Sequence, residues 1–318
     1  MRLKYLFLLF LLTLSVHSAE LLKKFDAGHA VTDMLFRDGV LFVSTEQGEV
    51  RLINFRNGKL IETIKLPSIR DFMGNPIPPK VYSIDISPSG KRMLIVSEAS
   101  GGFSEVYLYE KGRGLEKLID LGKNMIIKKG RFYNDNLAVF GLLGDEIALF
   151  DVDAKRFIYV VQVGTSSLSD INLSDDKNKV AVSDEGGVVT LVSVKDGKVL
   201  KRFKGVNVDK LYELDYRDEK ILVGGRDRRV ALYYTDTGRY RRFPSRFLVF
   251  SVAMDESAKL GAYLYNEEND VRIIELDTGR ELDLLKGHEY PVSVILFLDG
   301  VVITGCDDGK IFVWRYKR

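Results

Sequence analysis

Histidine is the first residue type to examine for catalysis, and this 318-residue chain contains three. His17 lies in an N-terminal leader, whereas His29 and His288 each follow a glycine at the start of a repeated segment. Neither stands in a nucleophile elbow or a zinc-protease motif. A Ser-His-Asp triad converges only in space, so spacing alone leaves one open. Two histidines at repeat positions nevertheless favour structural roles.

The single cysteine, Cys306, excludes an intrachain disulfide, a thiolate-built zinc or iron–sulfur site and covalent haem attachment. Its position suits a small-residue slot in a tight turn, and a reactive thiol is the alternative. Acidic pairs such as Asp175-Asp176 and Asp307-Asp308 lie in turns, where solvation explains them, and no calcium-loop motif is present. We therefore expect no catalytic, metal-binding or cofactor-binding residues and no enzymatic activity.

The first eighteen residues have the features of an export signal. Residues 1–4 are basic, residues 5–14 are almost continuous Leu and Phe, and the polar stretch that follows predicts cleavage between Ser18 and Ala19. The apolar run is about ten residues, well short of the roughly twenty that a transmembrane helix needs. We expect a signal peptide over residues 1–18 and a periplasmic protein with no transmembrane segment. An uncleaved anchor is the alternative.

The mature chain, residues 19–318, is electrically balanced. Loss of Arg2 and Lys4 reduces the 47 basic residues to 45, which equals the 45 acidic residues. This balance gives no reason to expect nucleic acid as a partner. About 300 residues can bury a core large enough to fold without disulfides. We expect one domain and a monomer.

A four-strand pattern with a period near forty residues runs through that domain. The apolar strand at residues 311–314 has counterparts along the chain, 40 to 42 residues apart except for one interval of 56. These begin at Val50, Val106, Ile147, Val189, Val230 and Val271. Asp-Gly and Asn-Gly turns recur in step with them. Seven copies predict an all-β fold, a seven-bladed β-propeller.

The ring needs an additional strand to close. Only four residues follow Trp314, too few for the outer strand of the last blade. Residues 20–25 precede Gly28-His29 in the same way that residues 282–285 precede Gly287-His288. We therefore expect this N-terminal strand to complete the last blade, which removes exposed strand edges.

The last copy resembles the WD40 repeat in residues 287–292, 304–309 and Trp314. The resemblance implies a hydrogen-bonded tetrad inside the blade, in which a complete network would stiffen the structure. Its positions here are His288, Thr304, Asp308 and Trp314. The other copies keep the period but little of the motif.

Two features depart from the repeat and predict partner-binding surfaces. Insertions at residues 66–80 and 97–105 emerge on one face of the second blade. They predict an apolar, proline-stiffened ledge, with packing of the two loops on each other as the alternative. The ledge comprises Phe72, Met73, Ile77 and Phe103. A basic sector is predicted in the fifth copy at Arg226, Arg228 and Arg229, and solvated strand edges explain the same charges.

These observations favour a non-catalytic scaffold that binds another periplasmic protein or complex. An export signal combined with a degenerate seven-copy WD40 ring resembles the periplasmic WD40-type accessory proteins of periplasmic nitrate reductase systems. That resemblance implies a role in assembly of the reductase or in its electron supply. An outer-membrane assembly scaffold is one alternative. A small-molecule-binding or catalytic propeller that uses its central channel is another.

Overall fold

The computed structural model describes residues 19–316, so the predicted signal peptide lies outside the described residues. Seven four-stranded antiparallel sheets form the seven blades. In blades 1 to 3 the strands are Val31–Arg37, Val40–Thr45, Glu49–Asn54 and Leu60–Lys65 (β2–β5); Val81–Ile86, Arg92–Glu98, Ser104–Glu110 and Gly114–Ile119 (β8–β11); and Ile127–Phe132, Leu137–Leu142, Glu146–Asp151 and Arg156–Gln162 (β12–β15).

Blades 4 to 6 repeat the arrangement. Their strands are Leu168–Leu173, Lys179–Asp184, Val189–Ser193 and Val199–Phe203 (β16–β19); Leu211–Arg217, Lys220–Gly225, Arg229–Tyr234 and Tyr240–Pro244 (β20–β23); and Val252–Met254, Leu260–Leu264, Val271–Glu275 and Glu281–Leu285 (β24–β27). Blade 7 contains Val292–Leu298, Val301–Cys306 and Lys310–Arg315 (β28–β30). Its fourth strand is Glu20–Asp26 (β1), from the other end of the domain.

The predicted closure is confirmed. β1 pairs antiparallel with β30, with Phe25 opposite Ile311 and Asp26 opposite Lys310. The innermost strands β2, β8, β12, β16, β20, β24 and β28 contact one another in sequence, and β28 returns to β2. The ring of inner strands is therefore closed and surrounds a central channel.

The core lies between the blades. Among the described residues, seven clusters of buried apolar side chains each join two neighbouring blades. At the junction of blades 2 and 3, for example, Phe132, Phe140 and Phe150 are fully buried. Both faces of the middle strands pack on a neighbour, which explains their continuous apolar sequences. Each repeat thus forms a sheet whose apolar side chains are buried against the neighbouring sheets.

One face of the ring carries the turns between the second and third strands together with the loops that enter each inner strand. The amide of Glu46 donates to Ala30, that of Arg226 to Lys210 and that of Asp307 to Pro291. We call this the top face. Both insertions of the second blade lie on it, as the sequence predicts.

Candidate functional site

The longer insertion forms a β-hairpin on the top face. Two short strands, Ile69–Arg70 (β6) and Pro76–Ile77 (β7), pair antiparallel outside the blades. The Asp71 carboxylate closes the tip by accepting hydrogen bonds from the amides of Met73 and Asn75, both at 2.8 Å. These bonds hold the pKa of Asp71 below its usual range. The hairpin is therefore an ordered structure whose shape is set by its own hydrogen bonds.

The two insertions meet. The second is the segment between β9 and β10, residues 99–103, which contains the short 3-10 turn Ser100–Gly102. The Arg70 amide donates to Ser100 Oγ at 2.9 Å, which fixes the base of the hairpin against this turn. This contact makes the two loops one surface element.

The predicted ledge residues differ in exposure. Phe72 is 95% exposed and Met73 is 73% exposed at the hairpin tip. Ile77 and Phe103 are half-buried below it. Of the four predicted ledge residues, the two at the hairpin tip are strongly exposed and the other two are partly buried.

Large exposed apolar side chains elsewhere are distributed differently. On the top face, Val208 and Tyr290 stand singly, in the loops that enter blades 5 and 7. Most others lie on outer strands, including Leu60 and Ile61 on β5. Of the described residues, the hairpin tip is the place where two strongly exposed apolar side chains project together from the top face.

The predicted basic sector lies on the same face, in the turn between β21 and β22. Arg226 forms an ion pair with Asp209 at 3.8 Å, and Arg229 forms one with Asp227 at the same distance. Arg228 is exposed and adopts a left-handed backbone conformation with φ 59°. Two of the three predicted arginines are thus offset by neighbouring carboxylates.

The predicted tetrad is connected through three of its four members. Thr304 Oγ1 lies 2.9 Å from His288 Nε2 and accepts a hydrogen bond from Trp314 Nε1 at 3.3 Å. Asp308 instead accepts from the amide of Lys310, and His288 Nδ1 has no hydrogen-bond partner among the described residues. Burial lowers the pKa of His288 to about 4, so the imidazole is neutral at pH 7. Its placement is that of a structural residue.

Charged side chains from the inner strands join neighbouring blades. Asp33 Oδ2 accepts from the amide of Ile84 at 3.0 Å, and Asp170 Oδ2 accepts from that of Leu214 at the same distance. Asp85 and Asp215 make the equivalent bonds to Phe132 and Met254. Four junctions of the ring are therefore bridged by a carboxylate that accepts a main-chain hydrogen bond.

Blade 3 supplies two positive charges that lie against these carboxylates. Lys129 lies 3.5 Å from Asp170, and Arg131 lies 3.7 Å from Asp33. Burial disfavours the protonated form of Lys129. The negative charges of Asp170 and Asp33 outweigh this effect of burial and raise the pKa of Lys129. Burial and Asp170 raise the pKa of Glu213 well above its usual range.

Sequence reasoning missed this network because its members are far apart in the chain. The usable signal was Lys128-Lys129-Gly130-Arg131 in a strand that the repeat places at the channel.

A further buried carboxylate belongs to Asp145, in the turn between β13 and β14. Neither of its oxygens has a hydrogen-bond partner among the described residues. Burial, together with the nearby Asp184, raises its pKa to about 6, against the opposing charge of Arg202. Its backbone is left-handed, with φ 64°. Burial therefore destabilises the charged form of this carboxylate.

The remaining candidates for chemistry are isolated. Cys306 is buried, and burial raises its pKa to about 12, which makes the thiol unreactive at neutral pH. His29 is exposed. Within residues 19–316, no group of three or more His, Cys, Asp or Glu is placed to hold a metal ion. In the same part of the chain, no helix is long and apolar enough to cross a membrane.

Comparison with known proteins finds similarity to one family of repeats. No curated protein matches the sequence. The family model "WD domain, G-beta repeat" matches residues 279–315, which span β27 and the three C-terminal strands of blade 7. WD40 propellers typically act as non-catalytic scaffolds for protein interactions. One blade that matches this repeat, within a closed ring of seven blades, supports a WD40-repeat β-propeller.

Proposed function

We propose that the protein is a non-catalytic periplasmic scaffold that binds another protein through the hairpin on its top face. The observation that carries this proposal is the exposure of Phe72 and Met73, at 95% and 73%, on a hydrogen-bonded hairpin. Strongly exposed apolar side chains that project together from a surface are a feature of protein interaction sites. Aromatic anchors of this kind carry much of the binding free energy at protein interfaces.

The hairpin is preorganised for binding. The bonds to Asp71 fix its tip, and Arg70 fixes it at both ends by donating from its amide to Ser100 and from its guanidinium to the Gly74 carbonyl at 2.6 Å. A loop that is ordered before binding loses little conformational entropy when it docks. The structure of the insertion therefore favours a recognition element over a tolerated loop.

The periplasmic location rests on the leader sequence and on one contact at its end. The main-chain nitrogen of Ala19 donates to Asp283 Oδ1 at 3.0 Å. Cleavage after Ser18 would turn this nitrogen into a charged amino terminus beside a buried carboxylate. N-terminal sequencing of the protein from a periplasmic fraction tests the proposal, which requires Ala19 as the first residue. A chain that begins at Met1 or remains in the cytoplasm contradicts it.

The more specific proposal follows the family resemblance, namely an accessory role for a periplasmic nitrate reductase. Its support is the combination of an export leader with a degenerate propeller. Biolayer interferometry between the immobilised protein and the nitrate reductase of the same organism is the test. We expect saturable binding, and no binding at micromolar concentrations excludes this partner. An outer-membrane assembly complex is then the next partner to measure.

Paired variants test the hairpin as the binding element. The double variant Phe72→Ala/Met73→Ala removes the apolar side chains of the tip. The control (the rim variant) is Leu60→Ala/Ile61→Ala, which removes two neighbouring exposed apolar side chains from the outer strand β5. We expect the tip variant to weaken partner binding about tenfold or more, since each anchor contributes on the order of 1–2 kcal/mol, and the rim variant to bind normally. Because both pairs are exposed, thermal stability should stay unchanged in each. Equal binding by both variants refutes the hairpin site.

A further inference from the structure

A pocket at the top mouth of the central channel carries opposite charges on two arcs of its wall. The cavity has a volume of about 450 Å³ and is lined by residues from blades 1, 2, 3, 4 and 7. Lys80 enters from blade 2, and Lys128 comes from blade 3. Glu46 and Asp307 come from the top-face turns of blades 1 and 7. The mouth is therefore basic along one arc and acidic along the next.

These four groups have no opposite charge within 4.0 Å among the described residues. Lys129, deeper in the pocket, differs because it is paired with Asp170. The ammonium of Lys128 instead lies over the ring of Tyr82, 5.3 Å from its centre. Within residues 19–316, the two arcs thus hold charges that form no ion pair at the mouth, whereas Lys129 below them is paired with Asp170.

One group in each arc has a pKa shifted against its charged form. Burial and the like charges of Lys210, Lys129 and Lys80 lower the pKa of Lys128. Burial and Glu46 raise the pKa of Asp307, although Ser293 and Lys80 oppose this. Lys128 and Asp307 therefore each disfavour their own charged form, and an opposite charge placed against either would stabilise it.

An unsatisfied hydroxyl lies in the same pocket. Ser169 Oγ, on the inner strand of blade 4, is buried and has no hydrogen-bond partner among the described residues. Buried hydroxyls are normally paired. The pocket thus offers an unused hydrogen-bonding group besides its two charged arcs.

We propose that the channel mouth binds a small zwitterion of the short-peptide class, with its carboxylate against Lys80 and Lys128 and its ammonium against Glu46 and Asp307. The cavity falls within the range typical of small-molecule sites, about 300–1,000 Å³. A ligand with one sign of charge would satisfy one arc and be repelled by the other. Phe72 and Met73 do not line this cavity, so the scaffold proposal and this one can fail separately.

Isothermal titration calorimetry with three peptides tests the charge pattern. The probes are trialanine with free termini, N-acetyl-trialanine and trialanine amide, titrated into the full-length mature protein at low ionic strength. We expect trialanine to bind at least about tenfold more tightly than either blocked peptide, because each lost charge removes a charge-assisted contact. Added salt should weaken binding, since the mouth is open to solvent. Equal affinity for trialanine and a blocked peptide, or no binding by trialanine, overturns the proposal.

Charge-removing variants locate the site. Lys128→Met and Glu46→Gln should each weaken trialanine binding about tenfold. Lys59→Met and Glu267→Gln remove exposed charges outside the pocket and serve as matched controls that bind normally. Lys128→Arg keeps the charge and should restore most of the affinity, which separates lost recognition from misfolding. Unchanged binding by both mouth variants would place the peptide elsewhere and overturn the assignment.

Discussion

Asp145 and His288 are both buried ionisable residues, and in each case burial favours the neutral form. For Asp145 this raises the pKa to about 6, whereas for His288 it lowers the pKa to about 4. Between pH 4 and 6 the folded chain binds a proton at Asp145 that the unfolded chain has lost, so this residue makes stability fall as pH rises. His288 acts in the opposite direction, because the unfolded imidazole is protonated below about pH 6.5 while the folded one is not.

We predict that Asp145→Asn stabilises the protein at pH 7. The charged carboxylate has no hydrogen-bond partner among the described residues, and asparagine accepts the left-handed backbone at this position. The expected gain is roughly 1–3 kcal/mol in the free energy of unfolding, because one pKa unit corresponds to about 1.4 kcal/mol. Urea denaturation at pH 7 and at pH 4 measures it.

The pH dependence of the gain provides the control. Near pH 4 the wild-type carboxyl is protonated in the folded state, so the advantage of asparagine should shrink. A gain that is the same at both pH values would show that charge burial is not the cause. The sequence could not reveal this group, since its burial depends on packing of the turn against Gly164, which lies in the loop between β15 and β16. The tetrad positions, by contrast, follow directly from the motif around His288.

The hairpin is the element that least follows the repeat, and its order depends on a few polar contacts. Asp71 organises the tip, and Arg70 connects the base to Ser100, thirty residues away. Sequence reasoning identified the insertion and its apolar residues. It did not identify the strands, because β6 and β7 are two residues long and too short to show alternation.

We predict that Asp71→Ala loosens the hairpin without destabilising the propeller. The amides of Met73 and Asn75 lose their acceptor and should exchange hydrogen faster with solvent. The midpoint of thermal unfolding should stay nearly constant, because the tip lies outside the blade cores. Hydrogen–deuterium exchange by mass spectrometry gives the measurement. Asp38→Ala, in the exposed turn between β2 and β3, is the control, and equal exchange at the tip in both variants would contradict the role of Asp71.

The seven-bladed ring could be predicted from the sequence because the pattern of strands and turns occurs seven times. Each copy carries the same apolar strands and turns, so irregularities in one copy do not obscure the period. The channel network was not predictable in the same way. Lys129 and Asp170 come from different blades, and their pairing depends on the angle between inner strands rather than on any local pattern. The distribution of charge around the mouth has the same origin.

Because blade 7 is closed by a strand from the other end of the domain, we expect it to open more readily than the other blades. β1 is joined to the domain at one end, whereas the outer strands of the other blades are continuous with the chain at both ends. Its contacts include the Glu20–Arg315 ion pair at 2.7 Å and the nearly buried ring of Phe25. Phe25 stands opposite Ile311 as Phe203 stands opposite Val189 in blade 4.

We predict that Phe25→Ala and Phe203→Ala destabilise the protein by similar amounts, about 3–5 kcal/mol each, because both remove a buried ring. Their exchange patterns should differ. With Phe25→Ala, β1 should detach locally and expose the β30 amides that bond to it, while blades 2 to 5 remain protected. With Phe203→Ala, β19 is held by the chain on both sides, so exchange should rise only through opening of the whole ring. If native-state exchange at β30 were the same in both variants, blade 7 would be no weaker than the others, and the continuity of the chain would not decide where the ring opens.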